Sequence, residues 1–390
     1  MTTTRIGTAI VFCFLLTTQI QGQEEDLREE ELSAPFQVKE ASQKSRIALY
    51  ENAQLAELFK IDEALTKEAF DQTLLAYTQT NSRGNAWLKL VQPSDRIGIK
   101  INTIGGKVLQ TKPSIVKAIV YGLIKAGVNR KNIIIWDKFA DHMASADWNP
   151  ERESTRWKER SVVPGTGFDS KKFLFHEVVG KLIWGDYEFV GKKALDLDLL
   201  LREYDEDRYL QEGEGNNQED PSGRKKRQIS NRSFFAKIVT QDVDKIINVA
   251  IMSDHPSVGV WGCLSSLALS SVDNNRRFNS SKTYAARAIA EILSKEYVKD
   301  KIVLHVMDGT LAQFAGGPLF ETNYCQTPGI LMISQDGVAI DTLVREQLEI
   351  WREARSVVPI GESALHIEAC ESFGLGTTDK SKMEIIKVAK

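Results

Sequence analysis

Short runs of Ile, Val and Leu alternate with amphipathic stretches along this chain, and this alternation constrains the fold more than any other feature. "DRIGIKIN" (95–102) predicts a strand, "SIVKAIVYGLIKAGV" (114–128) a helix and "NIIIWDKF" (132–139) a second strand. A strand, a helix and a strand at this spacing form a βαβ unit, whose strands are parallel and whose crossover is right-handed.

The same alternation returns in the C-terminal half of the chain. Nearly continuous apolar runs there indicate strands that are buried on both faces. We predict strands over 245–252, 302–309 and 329–336, and helices over 285–297 and 338–355. The sequence therefore predicts an α/β domain over residues 95–390, with a doubly wound, mostly parallel sheet and helices on both faces.

The residues before this domain predict a secretory signal peptide at 1–22. "MTTTR" carries one cation, "IGTAIVFCFLLTTQI" is apolar apart from small or hydroxyl residues, and "QGQEEDLREEEL" is acidic. A single N-terminal anchor is the alternative, but we expect an exported protein of the periplasm or the extracellular space. Residues 23–94 are interpreted as an acidic arm and a small helical cap, because apolar residues recur at helical spacing from Ser45 to Tyr77.

Composition argues against several classes of protein. The net charge of -3 gives no indication of nucleic-acid binding, which usually needs a basic excess. Beyond the signal, no apolar run is long enough to span a membrane. The mature chain keeps three widely spaced cysteines, which argues against an iron–sulfur cluster and allows at most one disulfide: Cys263, Cys325 and Cys370. Residues 202–232 are nearly all polar and are interpreted as a surface loop, with a nucleic-acid or lipid patch as the alternative.

Polar side chains follow every predicted strand, and ligands of parallel sheets bind beyond the carboxyl ends of the strands. Asp254 and His255 follow "INVAIM" directly, and Lys100 lies in an Ile-rich strand. These three are the predicted catalytic residues, since histidine suits acid–base work and a buried ammonium needs a partner or a ligand. The predicted ligand-binding residues stand at the other strand ends: Asn102, Asp137, Asp308, Gly316, Gly317 and Asp336.

Each of these residues has a structural alternative. An Asp after a strand commonly caps a helix or forms a turn, and Asp254 with His255 could be an internally satisfied pair. A metal site could use several of them, although no close-spaced ligand motif is present: Asp137, Asp141, His142, Asp254 and His255. We expect either an enzyme that performs acid–base chemistry on a small polar or anionic substrate, or a non-catalytic ligand- or metal-binding envelope protein.

A resemblance adds to this interpretation. "AWLKLVQPSDRIGIKIN", "INVAIMSDHPSVGVWGCLSSLALSSVDN", "GGP" and "SQDGVAIDTL" occur in the order seen in domain-of-unknown-function family three-six-two, which the chain resembles from about residue 45 to 388. The resemblance implies an uncharacterised, often exported bacterial or archaeal protein. Three serines stand where the family usually has Lys, Lys and Asn: Ser253, Ser265 and Ser266. The segment is also similar to one in lactate-racemase-type nickel enzymes, although the lysine that matters there is Ser265 here.

Overall fold

The computed structural model describes residues 44–57, 59–149, 157–189 and 229–388. The predicted signal peptide, the acidic arm and most of the polar segment at 202–232 lie outside the described residues. Among the helices of the described ranges, none combines the length and the hydropathy needed to cross a membrane.

The strands of the described residues belong mainly to one large sheet. In chain order they are β1 Ser45–Glu51, β2 Ala56–Glu57, β3 Lys60–Ile61, β4 Ile97–Lys100, β5 Ile133–Phe139, β6 Lys158–Val163, β7 Phe168–Lys181, β8 Ile229–Ala236, β9 Lys245–His255, β10 Gly259–Val260, β11 Ile302–Gln313, β12 Cys325–Gln326, β13 Ile330–Ser334 and β14 Met383–Lys387. The path of the large sheet is β14-β1-β13-β11-β9-β4-β5-β6, while β7 and β8 form a separate antiparallel ribbon.

Helices cover both faces of the large sheet. They are α1 Glu63–Thr78, α2 Arg83–Leu88, α3 Pro113–Lys125, α4 Ala140–Ser145, α5 Cys263–Ser270, α6 Lys282–Ser294, α7 Glu296–Lys299, α8 Gly337–Ala354 and α9 His366–Ser372. One apolar core joins the sheet to α1, α2 and α3, and a second joins it to α5, α6, α8 and α9. The predicted α/β class is confirmed, and the predicted βαβ unit is β4, α3 and β5.

Strand direction decides which residues can meet. Strands β4, β5, β6, β9 and β11 pair in parallel, so their carboxyl ends lie at one edge of the sheet. In contrast, β13 is antiparallel to both of its neighbours, β11 and β1. The end of β13 therefore lies at the opposite edge, and Asp336, which follows it, is separated from the residues that follow β4, β5 and β9.

The predicted helical cap is partly wrong. Glu63–Thr78 is a helix that begins at the predicted Asp62 cap, whose carboxylate accepts a hydrogen bond from Leu65 N. Ser45–Glu51 is instead a strand that pairs with β13 and, in parallel, with β14. Ile47 and Leu49 are two residues apart, which is the spacing of one strand face, and tertiary pairing with the chain terminus decides the outcome.

The predicted polar loop at 202–232 also ends earlier than expected. Ile229–Arg232 is the beginning of β8, which pairs with β7 through Gly180 and Lys181. The following residues Phe234 and Phe235 are buried in the apolar core, so this part of the segment is anchored from its C-terminal side. The ribbon places the loop after α5 close to the carboxyl edge of the sheet, because Asp273 in that loop bonds to Phe234 N.

Candidate functional site

A cavity of about 190 Å³ opens at the carboxyl ends of β4, β5 and β9. All three strand ends contribute polar side chains, as the parallel arrangement requires. Further residues come from the turn after β10, from the end of α5 and from the loop that follows α5. The lining consists of Lys100, Asn102, Ile104, Asp137, Lys138, Phe139, His142, His255, Trp261, Leu269, Ser270, Asn275, Arg276 and Asn279.

Lys100 is the last residue of β4, and its side chain is only 1% exposed. Its Nζ lies 3.5 Å from Asp137 Oδ1, which is a long contact for an ion pair. Asp137 is already held by shorter bonds, from Thr103 N at 2.9 Å, Thr103 Oγ1 at 2.6 Å and Lys138 N at 2.8 Å. Burial lowers the pKa of Lys100, and its attraction to Asp137 opposes that shift.

Asn102 presents an unsatisfied amide to the cavity. Its backbone is fixed, because Asn102 N bonds to Thr111 Oγ1 and its carbonyl accepts from Thr111 N. Its side chain is buried, yet neither Nδ2 nor Oδ1 has a hydrogen-bond partner among the residues that the structure describes. A buried amide without partners costs about 1–3 kcal/mol, which makes Asn102 a candidate ligand-binding residue.

His255 is held by two contacts that leave one ring nitrogen for the cavity. The ring stacks on Trp261 with centroids 4.9 Å apart and an interplanar angle of 22°. Ser257 N donates to Nδ1 at 3.2 Å, so the proton of the neutral ring is on Nε2. Burial lowers the pKa of His255 to about 4. At neutral pH the ring is therefore an uncharged hydrogen-bond donor at Nε2.

Two further cations line the cavity wall. Lys138 Nζ lies 3.4 Å from Leu269 O, and Arg276 follows in the loop after α5. Asp186 and Asp273 face Lys138 from behind this wall and attract its charge, while burial lowers its pKa. The cavity surface itself thus carries Lys100, Lys138 and Arg276 against one carboxylate, Asp137.

Asp254 does not line the cavity, although it is adjacent to His255. Neighbouring residues of a strand point to opposite sides, and Asp254 lies 3.6 Å from the guanidinium of Arg352. Gly317 N donates to its Oδ1 at 2.9 Å. A Cβ on Gly317 would lie 2.3 Å from Asp254 O, so the glycine permits a close approach of two backbones. Gly316 and Gly317 thus pack near Asp254 rather than at the cavity wall.

The other two predicted carboxylates also act within the fold. Asp308 Oδ2 accepts Lys112 N at 2.8 Å, directly before α3, and Oδ1 accepts Thr310 Oγ1 at 2.7 Å. Asp336 is the N-cap of α8 and accepts Ala339 N at 2.8 Å at the opposite edge of the sheet. Both carboxylates therefore have the structural role that the sequence offered as the alternative to ligand binding.

The predicted metal-ligand set is not assembled. In the part of the chain that the structure describes, no group of three or more His, Cys, Asp or Glu side chains is placed to hold an ion. Asp141 Oδ1 accepts His142 N, and Asp254 is paired with Arg352. Cys263, Cys325 and Cys370 are all free thiols, so the disulfide that the sequence allowed is not formed.

Among the lining residues that sequence reasoning missed, four carry a polar group or an aromatic ring that bears on the chemistry of the site: Trp261, Asn275, Arg276 and Asn279. Trp261 lies in a turn that the sequence marks by Gly259 and Gly262, but nothing local indicates that its ring supports His255. The other three lie in "DNNRRFNSS", which looks like an ordinary solvated loop. This loop reaches the sheet edge because of tertiary packing, and no short sequence pattern indicates that it does so.

Fold and cavity together define an α/β protein with a polar cavity at the carboxyl edge of a mostly parallel sheet. Residues 212–345 match the model of the family described as Domain of unknown function (DUF362), which confirms the predicted resemblance over these residues. The matched stretch covers about a third of the chain. It contains His255, Trp261 and Arg276 of the cavity, whereas Lys100, Asn102 and Asp137 lie before it.

Comparison with solved structures gives a distant likeness. A crystal structure of a protein from Thermotoga maritima, a Northeast Structural Genomics Consortium target, is 11% identical with a TM-score of 0.39. The match covers 76% of this chain, which spans 60% of the length of that structure. No curated protein matches the chain.

Proposed function

We propose that this protein is an enzyme that binds a small anionic substrate in the cavity at the carboxyl ends of β4, β5 and β9. The observation that carries the proposal is the unsatisfied amide of Asn102, which faces a cavity lined by Lys100 and Arg276. A purely structural polar cluster would instead provide hydrogen-bond partners for this amide within the protein.

The charge and the size of the cavity support a compact anion. Three cationic side chains and one carboxylate line the wall, so a negatively charged group is favoured there. The volume of about 190 Å³ is below the roughly 300–1,000 Å³ of pockets for drug-sized ligands. A short organic acid fits this description better than a nucleotide does.

The chemistry proposed for the site is hydrogen-bond donation by the neutral His255 ring to a substrate oxygen on which negative charge develops. Because Ser257 N occupies Nδ1, the ring offers Nε2–H to an oxygen of the substrate. A neutral imidazole can stabilise negative charge that develops on such an oxygen without repelling Lys100. This arrangement supports an enzyme, because a neutral donor beside Lys100 suits the stabilisation of an oxygen on which negative charge develops.

Thermal-shift and calorimetric titrations with short carboxylates and inorganic phosphate test the binding step. We expect saturable stabilisation of the wild type, which is lost in Asn102→Leu because the amide contacts are gone. Asn129→Leu serves as the matched control, since Asn129 is exposed and lies in a turn before β5. Equal stabilisation of the wild type and Asn102→Leu would contradict the assignment of the cavity.

We also propose, from the charge and hydropathy pattern of residues 1–22, that the protein is exported. The proposal predicts that protein recovered from the cell exterior or periplasm begins near Gln23. N-terminal sequencing of that material checks it, and an intact Met1 in a cytosolic fraction would refute it.

A further inference from the structure

We propose that Lys100 is a nucleophile that forms a Schiff base with a small 2-oxo acid in this cavity. The inference rests on the proposed function and deepens it, because it names the substrate class and the first covalent step. It uses three features of the site: the loosely held amine of Lys100, the Nε2–H of His255 and the positive charge of Arg276.

The amine of Lys100 is held less firmly than the amines of Lys89 and Lys301, and about as loosely as that of Lys138, whose contact to Leu269 O is 3.4 Å. Lys301 Nζ donates to Val239 O at 2.7 Å and to Val243 O at 2.8 Å, and Lys89 Nζ donates to Thr78 O at 2.7 Å. Those lysines have a structural role that explains their position. Lys100 has a single 3.5 Å contact to Asp137, at the end of a strand that opens into the cavity.

Burial supplies the protonation state that a nucleophilic amine needs. Desolvation lowers the pKa of Lys100, and Asp137 offsets that effect only in part because other donors share its carboxylate. A larger fraction of Lys100 is therefore a free amine at neutral pH than for an exposed lysine. Asp137 remains beside the nitrogen and can stabilise the positive charge of an iminium ion.

The cavity around this amine selects the substrate class. A reacting carbonyl needs a donor near its oxygen, and His255 offers Nε2–H for that purpose. A carboxylate beside the carbonyl needs a cation, and Arg276 lines the same cavity as Lys100. The small volume limits the remaining carbons. A compact 2-oxo acid contains both groups on adjacent carbons.

The proposed step conserves atoms and charge. The Lys100 nitrogen adds to the carbonyl carbon, which forms the N–C bond and gives a carbinolamine. Its C–O bond then breaks and water leaves. Relative to the ammonium form, one proton stays on the nitrogen of the iminium ion and two leave with the oxygen, so no oxidant, reductant or other co-reactant is needed.

Borohydride trapping tests the inference with the full-length mature protein. Pyruvate and glyoxylate are the probes, and borohydride reduces any iminium to a stable secondary amine that peptide mass spectrometry locates. We expect one adduct per chain, on Lys100. Excess lactate should protect against it, because lactate has the carboxylate but a hydroxyl in place of the 2-oxo group. Lys100→Arg should lose the adduct, whereas Lys131→Arg, at an exposed position, should keep it.

The outcomes separate this inference from the proposed function. Absence of an adduct with either probe, while both still raise the melting temperature, refutes the Schiff base and leaves anion binding intact. Modification spread over surface lysines without lactate protection also overturns it. Mapping of the wild-type adduct decides the matter even where Lys100→Arg fails to fold.

Discussion

Asp254 and His255 are adjacent on β9, and replacing them should give opposite phenotypes. Asp254→Ala should unfold more easily yet keep its response to a ligand. His255→Phe should keep most of its stability and lose the activity of the cavity. The contrast follows from the strand geometry, which directs Asp254 to Arg352 and His255 to the cavity.

The cost of Asp254→Ala can be estimated from its contacts. Removal of the carboxylate leaves Gly317 N without its acceptor and the partly buried Arg352 without its counter-ion. Breaking a buried pair from one side costs about 3–5 kcal/mol. Arg352 keeps its hydrogen bonds to Phe314 O and Val358 O. We therefore expect the lower end of that range, about 3 kcal/mol.

The cost of His255→Phe should be smaller. The phenyl ring retains the stack on Trp261, and only the bond from Ser257 N to Nδ1 is lost. A single hydrogen bond of this kind contributes about 1 kcal/mol. The substitution also removes Nε2–H, so borohydride trapping of pyruvate should fall sharply because the carbonyl oxygen loses its donor.

Urea unfolding followed by circular dichroism measures both free energies, and an unchanged m-value shows that the denatured state is comparable. The same samples are then tested for thermal stabilisation by short carboxylates. The reasoning is refuted if Asp254→Ala keeps the wild-type midpoint but loses its ligand response, since Asp254 would then face the ligand. A loss near 3 kcal/mol for His255→Phe would instead make that ring a packing residue.

Three further predictions concern buried groups. Lys100→Met should leave the urea midpoint unchanged or higher, because removing a poorly compensated buried ammonium offsets the lost contact to Asp137, while ligand stabilisation disappears. Gly262→Ala should lower the melting temperature markedly, since the new Cβ would lie 2.2 Å from Asp341 Oδ1. Burial lowers the pKa of His366 to about 3, below its unfolded value, so its contribution is complete above about pH 6.5 and is lost as the pH falls. Melting temperatures at pH 7 and pH 4.5 should therefore differ less for His366→Phe than for the wild type, and an equal difference would contradict this assignment.

Much of the site could be predicted because it depends on a single regularity. Once β4, β5 and β9 are recognised as parallel strands, their carboxyl ends must share an edge. Lys100, Asn102, Asp137 and His255 follow from that rule, and they do line one cavity. Their roles stay predictions, but their proximity needed no more than the spacing of apolar runs.

The remainder depended on information that no short window contains. The direction of β13 is set by its antiparallel pairing with β11 and β1, so Asp336 could not be assigned to an edge from its local pattern. Likewise, Asp308 accepts a bond from Lys112, nearly two hundred residues earlier in the chain. The position of a residue after a strand therefore indicates a candidate place at the sheet edge. Long-range packing decides whether its side chain contacts a ligand or another part of the protein.

The source of positive charge at the site illustrates the same dependence. Ser265 and Ser266 stand where the family usually has Lys and Asn. Both hydroxyls bond to backbone carbonyls, of Val260 and Gly262, and both side chains are buried within the first turn of α5. The cavity obtains its cations elsewhere, from β4, from β5 and from the loop after α5 that supplies Arg276. The proposed anion site therefore does not depend on the family's lysines, because charge at a cavity is a property of the assembled wall and not of one motif.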